Sequence, residues 1–385
     1  MMRTSMIIRV FTIFLLVGLL SCVKEFEPNL DDASSKKIVI SGKLLDMGGY
    51  QYLDITQTSS LKEPERIPIE KCKVVLWSQN GKSWNYSDFG NGVYRLWLNI
   101  NDLDLTKAYH LEVMLPNHQK IVSVPERFSD CSNIGAIYYE RKGYHNELNN
   151  EDYSGLQFKI DFKANNSDSR YYLYEVVETS EFHAPMPIEW WYDGVLHHES
   201  PPDYSKSVCW NTQVINDIYV LNTDNLSKNE YKGLELNFTD NHSQRLAHLY
   251  SINVKQYSLS KEAMTYWKQM RINMHQSGGL YNNQPIAVKG NLVNTTNPEQ
   301  DVLGYFSVNK IKEKRIFVPV QGFIIIDNTC SEPAILRFGF RDISVFQYPA
   351  YLVGDQYGYE NMLLDKGCVD CTSDGGVTYK PSFWP

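Results

Sequence analysis

The stretch LQFKIDF, residues 156–162, alternates apolar and polar side chains without interruption. Leu156, Phe158, Ile160 and Phe162 occupy every second position of it. Successive side chains of a β-strand point to opposite faces, so this period predicts a strand with one buried face and one solvent-facing face. The stretch therefore predicts that this half of the chain is built from β-structure.

Similar runs lie further along the chain. Strands are predicted at residues 170–178 (RYYLYEVVE), 250–254 (YSINV) and 317–326 (FVPVQGFIII). The polar stretch at residues 140–155 predicts a loop near a domain boundary. We therefore expect a β-rich C-terminal domain over residues 126–385.

Residues 36–125 predict a smaller β-domain. KKIVISGKLL at 36–45 opens it with alternating isoleucines, and Asn80-Gly81 lies between two strand-like runs. Asn-Gly is the preferred pair for a tight hairpin turn, in which both central residues have positive φ. Short strands at this spacing predict an immunoglobulin-like or transthyretin-like sandwich, a class used more often as a spacer or binding platform than as an enzyme.

One helix is predicted, at about residues 260–277. Ser260 is a suitable N-cap, and the apolar stripe that follows has helical spacing. Its members are Ala263, Tyr266, Trp267 and Met270. The helix should end near Gly278-Gly279. The predicted fold class is therefore mostly β, with an N-terminal sandwich followed by a larger β-rich domain that carries this helix.

The N-terminal residues 1–21 have two arginines followed by an uninterrupted apolar run, which is typical of a secretory signal peptide. The run ends in Leu-Leu-Ser-Cys22, which resembles the lipobox of bacterial lipoproteins. We therefore expect Cys22 to be acylated and to anchor the protein to outer-membrane lipid without spanning it. A cleaved signal with an incidental cysteine, or an uncleaved anchor, are the alternatives.

Residues 22–35 form an acidic tether that begins with Val-Lys-Glu-Phe-Glu-Pro. This pattern resembles the signal that exports lipoproteins of the Bacteroidota to the exterior of the outer membrane. The expected location is therefore the outer membrane, facing the cell exterior, with the periplasmic face as the alternative. No other apolar stretch approaches eighteen residues.

The composition restricts the class of ligand. The formal net charge is −8, and no basic run is present, which argues against nucleic acid as a partner. The chain has 26 tyrosines, 16 phenylalanines and 8 tryptophans, which suits β-structure and also surfaces that bind sugars or peptides.

Cysteines are expected to form structural disulfides. Besides Cys22 there are six, an even number in an exported chain. Cys368 and Cys371 form a Cys-x-x-Cys, but no second pair completes a zinc site and no βαβ pattern supports a redox role. These two bond either to each other or to a distant cysteine such as Cys209 or Cys330.

The best candidate for ligand binding is Trp190-Trp191-Tyr192, which we predict to be an exposed stacking platform for a sugar ring or a peptide. A buried strand or a protein-docking surface is the alternative. His197-His198-Glu199 is interpreted as ordinary loop polarity, because neighbouring strand residues point to opposite faces. No catalytic motif, metal site or cofactor is predicted.

Several stretches resemble one known family. They are YSINVKQYSLSKEAMTYWKQM, QSGGLYNNQPIAVKGNL and VLGYFSVN within residues 250–308, Cys209-Trp210 upstream, and the closing CVDCTSDGGVTYKPSFWP. The chain is identified by them as a member of the family called domain of unknown function 4249, lipoproteins of the Bacteroidota. Thr372 departs from the arginine that many relatives have after the second cysteine.

The resemblance implies a cell-surface lipoprotein associated with a SusC/SusD-like TonB-dependent transporter. It implies an accessory role in capturing an oligopeptide or glycan, and no catalytic residues. A surface hydrolase with dispersed catalytic residues, or a structural or adhesive surface protein, are the alternatives.

Overall fold

The structure, a computed structural model, describes residues 36–59, 64–147, 150–276, 287–325, 330–354 and 362–385. Residues 1–35, with the expected signal, the tether and Cys22, lie outside the described residues. Within the described part of the chain, no helix is both long and apolar enough to cross a membrane.

The described elements are mostly strands. In the first third of the chain they are β1 (Ile38–Leu45), β2 (Gly49–Gln57), β3 (Ile67–Pro68), β4 (Lys73–Ser78), β5 (Ser83–Asn85), β6 (Ser87–Gly90), β7 (Val93–Leu98), β8 (Ala108–Met114), β9 (Lys120–Ser123) and β10 (Glu126–Arg127). The middle contains β11 (Ile137–Asn146), β12 (Glu151–Lys163), β13 (Tyr171–His183), β14 (Ile188–Tyr192), β15 (Leu196–Asp203), β16 (Val208–Val214), β17 (Tyr219–Asn222), β18 (Glu230–Asp240) and β19 (Tyr250–Ser258).

The last third begins with the α-helix and continues with shorter strands. These are α1 (Lys261–Gln276), β20 (Leu292–Asn294), β21 (Val302–Leu303), β22 (Phe306–Asn309), β23 (Ile311–Val318), β24 (Ala334–Ile335), β25 (Ala350–Val353) and β26 (Met362–Leu364). Short 3-10 helices cover Ile100–Asp102, Gln244–Leu246, Gly339–Asp342, Val345–Gln347, Lys366–Cys368 and Cys371–Asp374.

Two sheets form the N-terminal sandwich. One has the order β21-β1-β2-β7-β6, with β22 beside β1 and β3 beside β2, and the other has the order β20-β9-β8-β4-β5, with β10 beside β8. Their inner faces share one apolar core that contains Ile40, Leu53, Leu76, Leu111 and Phe306. Burial of such side chains contributes about 1.5–3 kcal/mol each, which makes this core the main source of stability here.

Residues 288–309 return to this sandwich from a distant part of the sequence. β21 and β22 pair in parallel with β1, and β20 pairs antiparallel with β9. The domain boundaries at 125 and 126 remain a prediction, but both sheets of the sandwich are completed by strands from beyond them.

The hairpin at Asn80-Gly81 forms, but with a different turn from the predicted one. Gly81 has φ +85°, whereas Asn80 is not among the residues with positive φ. The Gly81 N–H donates to the Ser78 carbonyl at 2.9 Å, and the Ser78 N–H donates to the Lys82 carbonyl at 2.9 Å. This is a three-residue loop in which only the glycine must be left-handed, so the predicted two-residue turn is wrong.

The remaining strands form three further sheets. Their orders are β11-β12-β18, then β16-β13-β19-β23 with β17 beside β13, and finally β15-β14-β25-β26-β24. The first two share a core that contains Phe158, Phe162, Tyr172, Tyr250 and Ile252. The mostly-β fold with one notable helix is thus confirmed.

The opening stretch lies in β12 as predicted. Leu156, Phe158, Ile160 and Phe162 are buried, but the intervening Gln157 is buried as well. Its side-chain amide donates to the Leu236 carbonyl at 3.0 Å on the neighbouring strand, which satisfies the buried polar group.

Two local predictions are wrong. Residues 140–155 are not simply a loop, because most of them belong to the β11–β12 hairpin. The strand predicted at 317–326 instead covers Ile311–Val318 and pairs with β19. Pro319 follows directly; it has no backbone N–H to donate, which accounts for the strand ending there.

Helix α1 begins where the sequence predicts. The Ser260 hydroxyl accepts the Ala263 backbone N–H at 3.1 Å, which caps the first turn. Ala263, Met264 and Tyr266 are buried against Leu173 and the strands beneath the helix. The expected stop at residues 278–279 lies outside the described residues.

Candidate functional site

The Cys-x-x-Cys cysteines bond to distant partners and not to each other. Cys209 bonds to Cys371, and Cys330 bonds to Cys368. Together they fasten the C-terminal segment to β16 and to the loop before β24. In the described part of the chain, Cys72 and Cys131 stay as thiols, so the even count did not mean that every cysteine is paired.

Asp370, between these cysteines, organises the closing motif. Its carboxylate accepts Lys206 Nζ at 2.6 Å, the Tyr351 hydroxyl at 3.0 Å and the Thr372 N–H at 3.0 Å. Burial alone would raise the pKa of this carboxyl, but the hydrogen bonds from Lys206, Thr372 and Tyr351 prevail, and the pKa lies below its usual value.

Backbone conformation and close packing explain the double glycine that follows. Gly375 has φ +81° and ends the short helix at Cys371–Asp374. A Cβ on Gly376 would lie 2.5 Å from the Phe182 ring and 2.7 Å from Cys209 Cβ. Only glycine therefore allows the tail to cross this disulfide. This assigns the motif a structural role.

The predicted platform lies on β14, in the interior of a five-stranded sheet. Trp190 stacks on His198 at a centroid distance of 3.9 Å, and Trp191 stacks on His197 at 3.7 Å. Tyr192 stacks on Phe340 at 4.8 Å.

These three aromatics do not form one continuous surface. Trp191 packs on the sheet face with Tyr351, and Trp190 and Tyr192 pack on the opposite face with Leu352. All three are half-buried, so ligand binding at this position stays a prediction. The inference that His197 and His198 point to opposite faces agrees with the structure.

A more exposed aromatic surface lies on the outer face of the sandwich. It consists of Tyr50, Tyr52, Phe89 and Trp97 around Arg95, and is called the aromatic surface below. The four rings are between 44% and 59% exposed. Tyr50 and Trp97 are cross-strand partners with ring centroids 4.8 Å apart, and Tyr50 and Tyr52 are 6.1 Å apart.

Arg95 links the rings of this surface. Its guanidinium carbon lies 4.0 Å from the Phe89 ring centroid and 4.8 Å from that of Tyr50. Such cation–π contacts contribute about 0.5–1 kcal/mol at exposed positions. These contacts therefore favour the observed positions of the Phe89 and Tyr50 rings before any ligand binds.

Strand alternation places these rings outside. Along β2, Gln51 and Leu53 are buried, so the alternate residues between them point outward. Along β7, Leu96 is buried, so Arg95 and Trp97 on either side of it point outward. The signal was present in GYQYLDI and VYRLWL, in which Tyr50, Tyr52 and Trp97 each stand next to residues of the buried face. The sequence does not single it out, because a strand's own residues do not show which of its two faces the rest of the protein covers.

A cleft of about 710 Å³ lies between the sandwich and α1, and the buried Glu126 is one of its ionisable lining residues. Its carboxylate accepts the hydroxyls of Tyr305 and Ser260, the latter at 3.2 Å, and the Val308 N–H at 3.4 Å. Burial raises the pKa of this carboxyl, and the hydrogen bonds offset that effect only in part.

The contacts of Glu126 join three parts of the fold. Ser260 caps α1, Tyr305 precedes β22, and Glu126 itself begins β10. Both carboxylate oxygens thus accept hydrogen bonds from the protein itself. The chemistry of this group fits a role in fixing the helix to the sandwich.

The described residues define a multi-sheet β-protein that presents aromatic side chains on the outer face of a sheet. The sequence model of the family described as domain of unknown function (DUF4249) matches residues 23–315, and the chain belongs to this family. The match ends before Cys330, so the closing motif lies outside the matched region.

Other comparisons add little. No curated protein matches the chain. Trypsin-activated alpha-2-macroglobulin from Escherichia coli is similar at 12% identity over 60% of this chain and 15% of that one, with a TM-score of 0.20. A structure concerning host cell surface retention of a 1.5-MDa bacterial ice-binding adhesin is similar at 12% identity over 57% of this chain and 58% of that one, with a TM-score of 0.17.

Proposed function

We propose that this protein is a surface-exposed outer-membrane lipoprotein that captures an oligopeptide or glycan for a SusC/SusD-like TonB-dependent importer. The acyl chains on Cys22 would hold it on the membrane, and the acidic tether would place the folded part above the lipid. The aromatic surface is the single observation that carries the capture role.

The chemistry of the aromatic surface supports this role. Large rings that stay exposed on a soluble domain mark an interaction site more often than chance. The apolar face of a sugar, or the side chains of a peptide, can stack on the flat faces of these rings. The Arg95 guanidinium has up to five N–H donors for hydroxyl or carbonyl groups of the ligand. Because the rings are on paired strands, binding costs little ordering entropy.

A binding experiment tests the capture role. The full-length lipoprotein in detergent would be titrated against a panel of oligosaccharides and oligopeptides by calorimetry. Trp97→Ala should weaken binding about fivefold, since one lost stacking contact is worth roughly 1 kcal/mol. Phe346→Ala removes a ring that is 94% exposed on the 3-10 helix Val345–Gln347, outside the sandwich, and serves as the matched control.

The opposite result would reject the site. Binding that is unchanged in both Trp97→Ala and Tyr50→Ala would place the ligand elsewhere. The importer role has its own test, which is affinity purification of the transporter from solubilised outer membranes. Repeated absence of this protein from the purified complex would contradict that part of the proposal.

A surface hydrolase is the second candidate, and one observation favours it. Glu126 and Glu262 both line the cleft, and an acid with a raised pKa beside a second carboxylate is the equipment of many glycosidases. The occupied oxygens of Glu126 argue against it. Turnover of a glycan panel by the wild type that is lost in Glu126→Gln would establish it.

A further inference from the structure

Three possible metal ligands meet at one end of β13. Glu181 and His183 lie two residues apart on this strand and therefore point to the same face. His248 comes from the segment just before β19, the neighbouring strand. One ligand atom from each residue lies within 4.8 Å of the other two.

The two imidazoles are stacked. The ring centroids of His183 and His248 are 3.7 Å apart with an interplanar angle of 23°, and His183 Nε2 lies 2.9 Å from Glu181 Oε1. The side chains of His183 and Glu181 are 35% and 21% exposed, so the group is half-buried and open on one side. The hydrogen bond between Glu181 and His183 explains why these two side chains lie together. It does not explain why the His248 ring is stacked on His183.

The C-terminus supplies an outer partner for this group. Trp384 Nε1 donates to Glu181 Oε2 at 2.9 Å, the oxygen that does not face His183. The indole is itself buried and packs against Phe317 with centroids 5.4 Å apart. A hydrogen bond of this kind orients a ligating carboxylate and makes its other oxygen available to a metal.

We propose that Glu181, His183 and His248 bind one divalent transition-metal ion, with zinc as the best fit. Two imidazole nitrogens and one carboxylate oxygen are a known zinc ligand set, and bond lengths of about 2.0–2.2 Å place tetrahedral ligands about 3.4 Å apart. The ligand atoms lie within 4.8 Å of one another, so binding requires them to move closer and requires at least one of the stacked imidazoles to rotate until both nitrogens point at the ion. The open side leaves a fourth position for water or an exogenous donor.

This site is separate from the aromatic surface, which lies on the N-terminal sandwich. It also involves none of the four disulfide cysteines. Metal binding would fix the carboxylate to which the C-terminal indole is bound, so the ion would strengthen the attachment of the tail to β13.

The test is metal titration of the full-length protein after chelator treatment. One Zn²⁺ ion should bind per protein chain. Co²⁺ should displace it only when present in excess. The Co²⁺ form should show the visible absorption bands of a low-coordinate site with nitrogen and oxygen ligands. His183→Ala and His248→Ala should each weaken zinc binding by more than about tenfold. Trp384→Phe keeps the ring but removes the N–H, and should weaken binding by roughly tenfold.

A matched control separates this site from ordinary surface histidines. His197 also has a carboxylate neighbour, with Nε2 3.0 Å from Asp193 Oδ1. His197→Ala should leave the zinc titration unchanged. If an alanine variant fails to fold, His248→Gln replaces it, and loss of the Co²⁺ bands in that folded variant supports the assignment.

Two results would overturn the proposal. One is the absence of stoichiometric zinc binding to the wild type, and the other is zinc binding that survives unchanged in the folded His183→Ala and His248→Ala variants. Either result would mean that the three side chains form a hydrogen-bonded cluster without a metal.

Discussion

Cys371 is bonded to Cys209, which precedes it by 162 residues, although Cys368 lies only three positions away in the sequence. The second disulfide, Cys330–Cys368, closes a span of 38 residues inside the first. The closing motif therefore connects two separate parts of the C-terminal half, because each of its two cysteines is bonded to a different one of them.

The two disulfides should differ in their effect on stability. The chain-entropy relation gives about 5 kcal/mol for closing a loop of 162 residues and about 4 kcal/mol for one of 38. Cys209→Ala with Cys371→Ala should thus lower the free energy of unfolding by about 1 kcal/mol more than Cys330→Ala with Cys368→Ala. Denaturant unfolding of the two double variants measures this, and an equal or reversed order would contradict it.

Asp370 should stabilise the tail in a pH-dependent way. Its folded-state pKa is lower than its ordinary value of 3.8, so its contribution is present above that pH and is lost as the pH falls through the folded pKa. Asp370→Asn should therefore be less stable than the wild type at pH 7, and the difference should shrink below pH 3.8. Thermal unfolding across this range tests it, with Asp342→Asn, in the exposed 3-10 helix Gly339–Asp342, as the control.

Glu126 should show the opposite pH dependence. Its folded-state pKa is raised above the ordinary value of 4.5, so the folded protein holds this proton more tightly than the unfolded chain. Stability from this group is full below pH 4.5 and is lost as the pH rises through the folded pKa. Glu126→Gln removes the titration, so its stability relative to the wild type should improve as the pH increases from 4 to 8.

The measurement for Glu126 is a series of denaturant midpoints at fixed ionic strength. Glu262→Gln, on the first turn of α1, is the matched control because it removes another carboxylate from the same cleft. A constant difference between wild type and Glu126→Gln at every pH would show that the carboxyl titrates alike in both states.

Lipidation at Cys22 depends on a single atom, the cysteine sulfur. Cys22→Ala should abolish incorporation of a labelled fatty acid and release the protein from the membrane fraction, because one lost anchor removes the buried methylenes. Cys72→Ala, which alters a buried thiol, should keep the label. Label retained in Cys22→Ala would refute the lipobox assignment.

Local patterns predicted local structure well. The alternation in residues 156–162 predicted β12, and Ser260 predicted the start of α1, because period and capping depend on residues a few positions apart. The predicted turn at Asn80-Gly81 had the right place but the wrong geometry, since loop length is set by how the two strands pair.

The aromatic residues show where side-chain exposure cannot be predicted from the neighbouring residues in the sequence. Trp190 and Trp191 looked exposed in the sequence, yet His198 and His197 on the neighbouring strand cover one face of each ring. Trp97 meets the Tyr50 ring in an edge contact with centroids 4.8 Å apart and is still 58% exposed. Which strand lies beside which, and in what register, decides this difference, and neither is encoded in the strand's own residues.

The sequence by itself determined the strand-rich fold, the helix start, the expected lipidation signal and the cysteines available for disulfides. Only the tertiary structure decided the cysteine partners, the return of residues 288–309 to the first sandwich, and the meeting of His248 with Glu181 and His183. The physical reason is that side-chain direction along a strand follows from its two-residue period. Contacts between distant segments depend on the packing of the whole core, which no short stretch specifies.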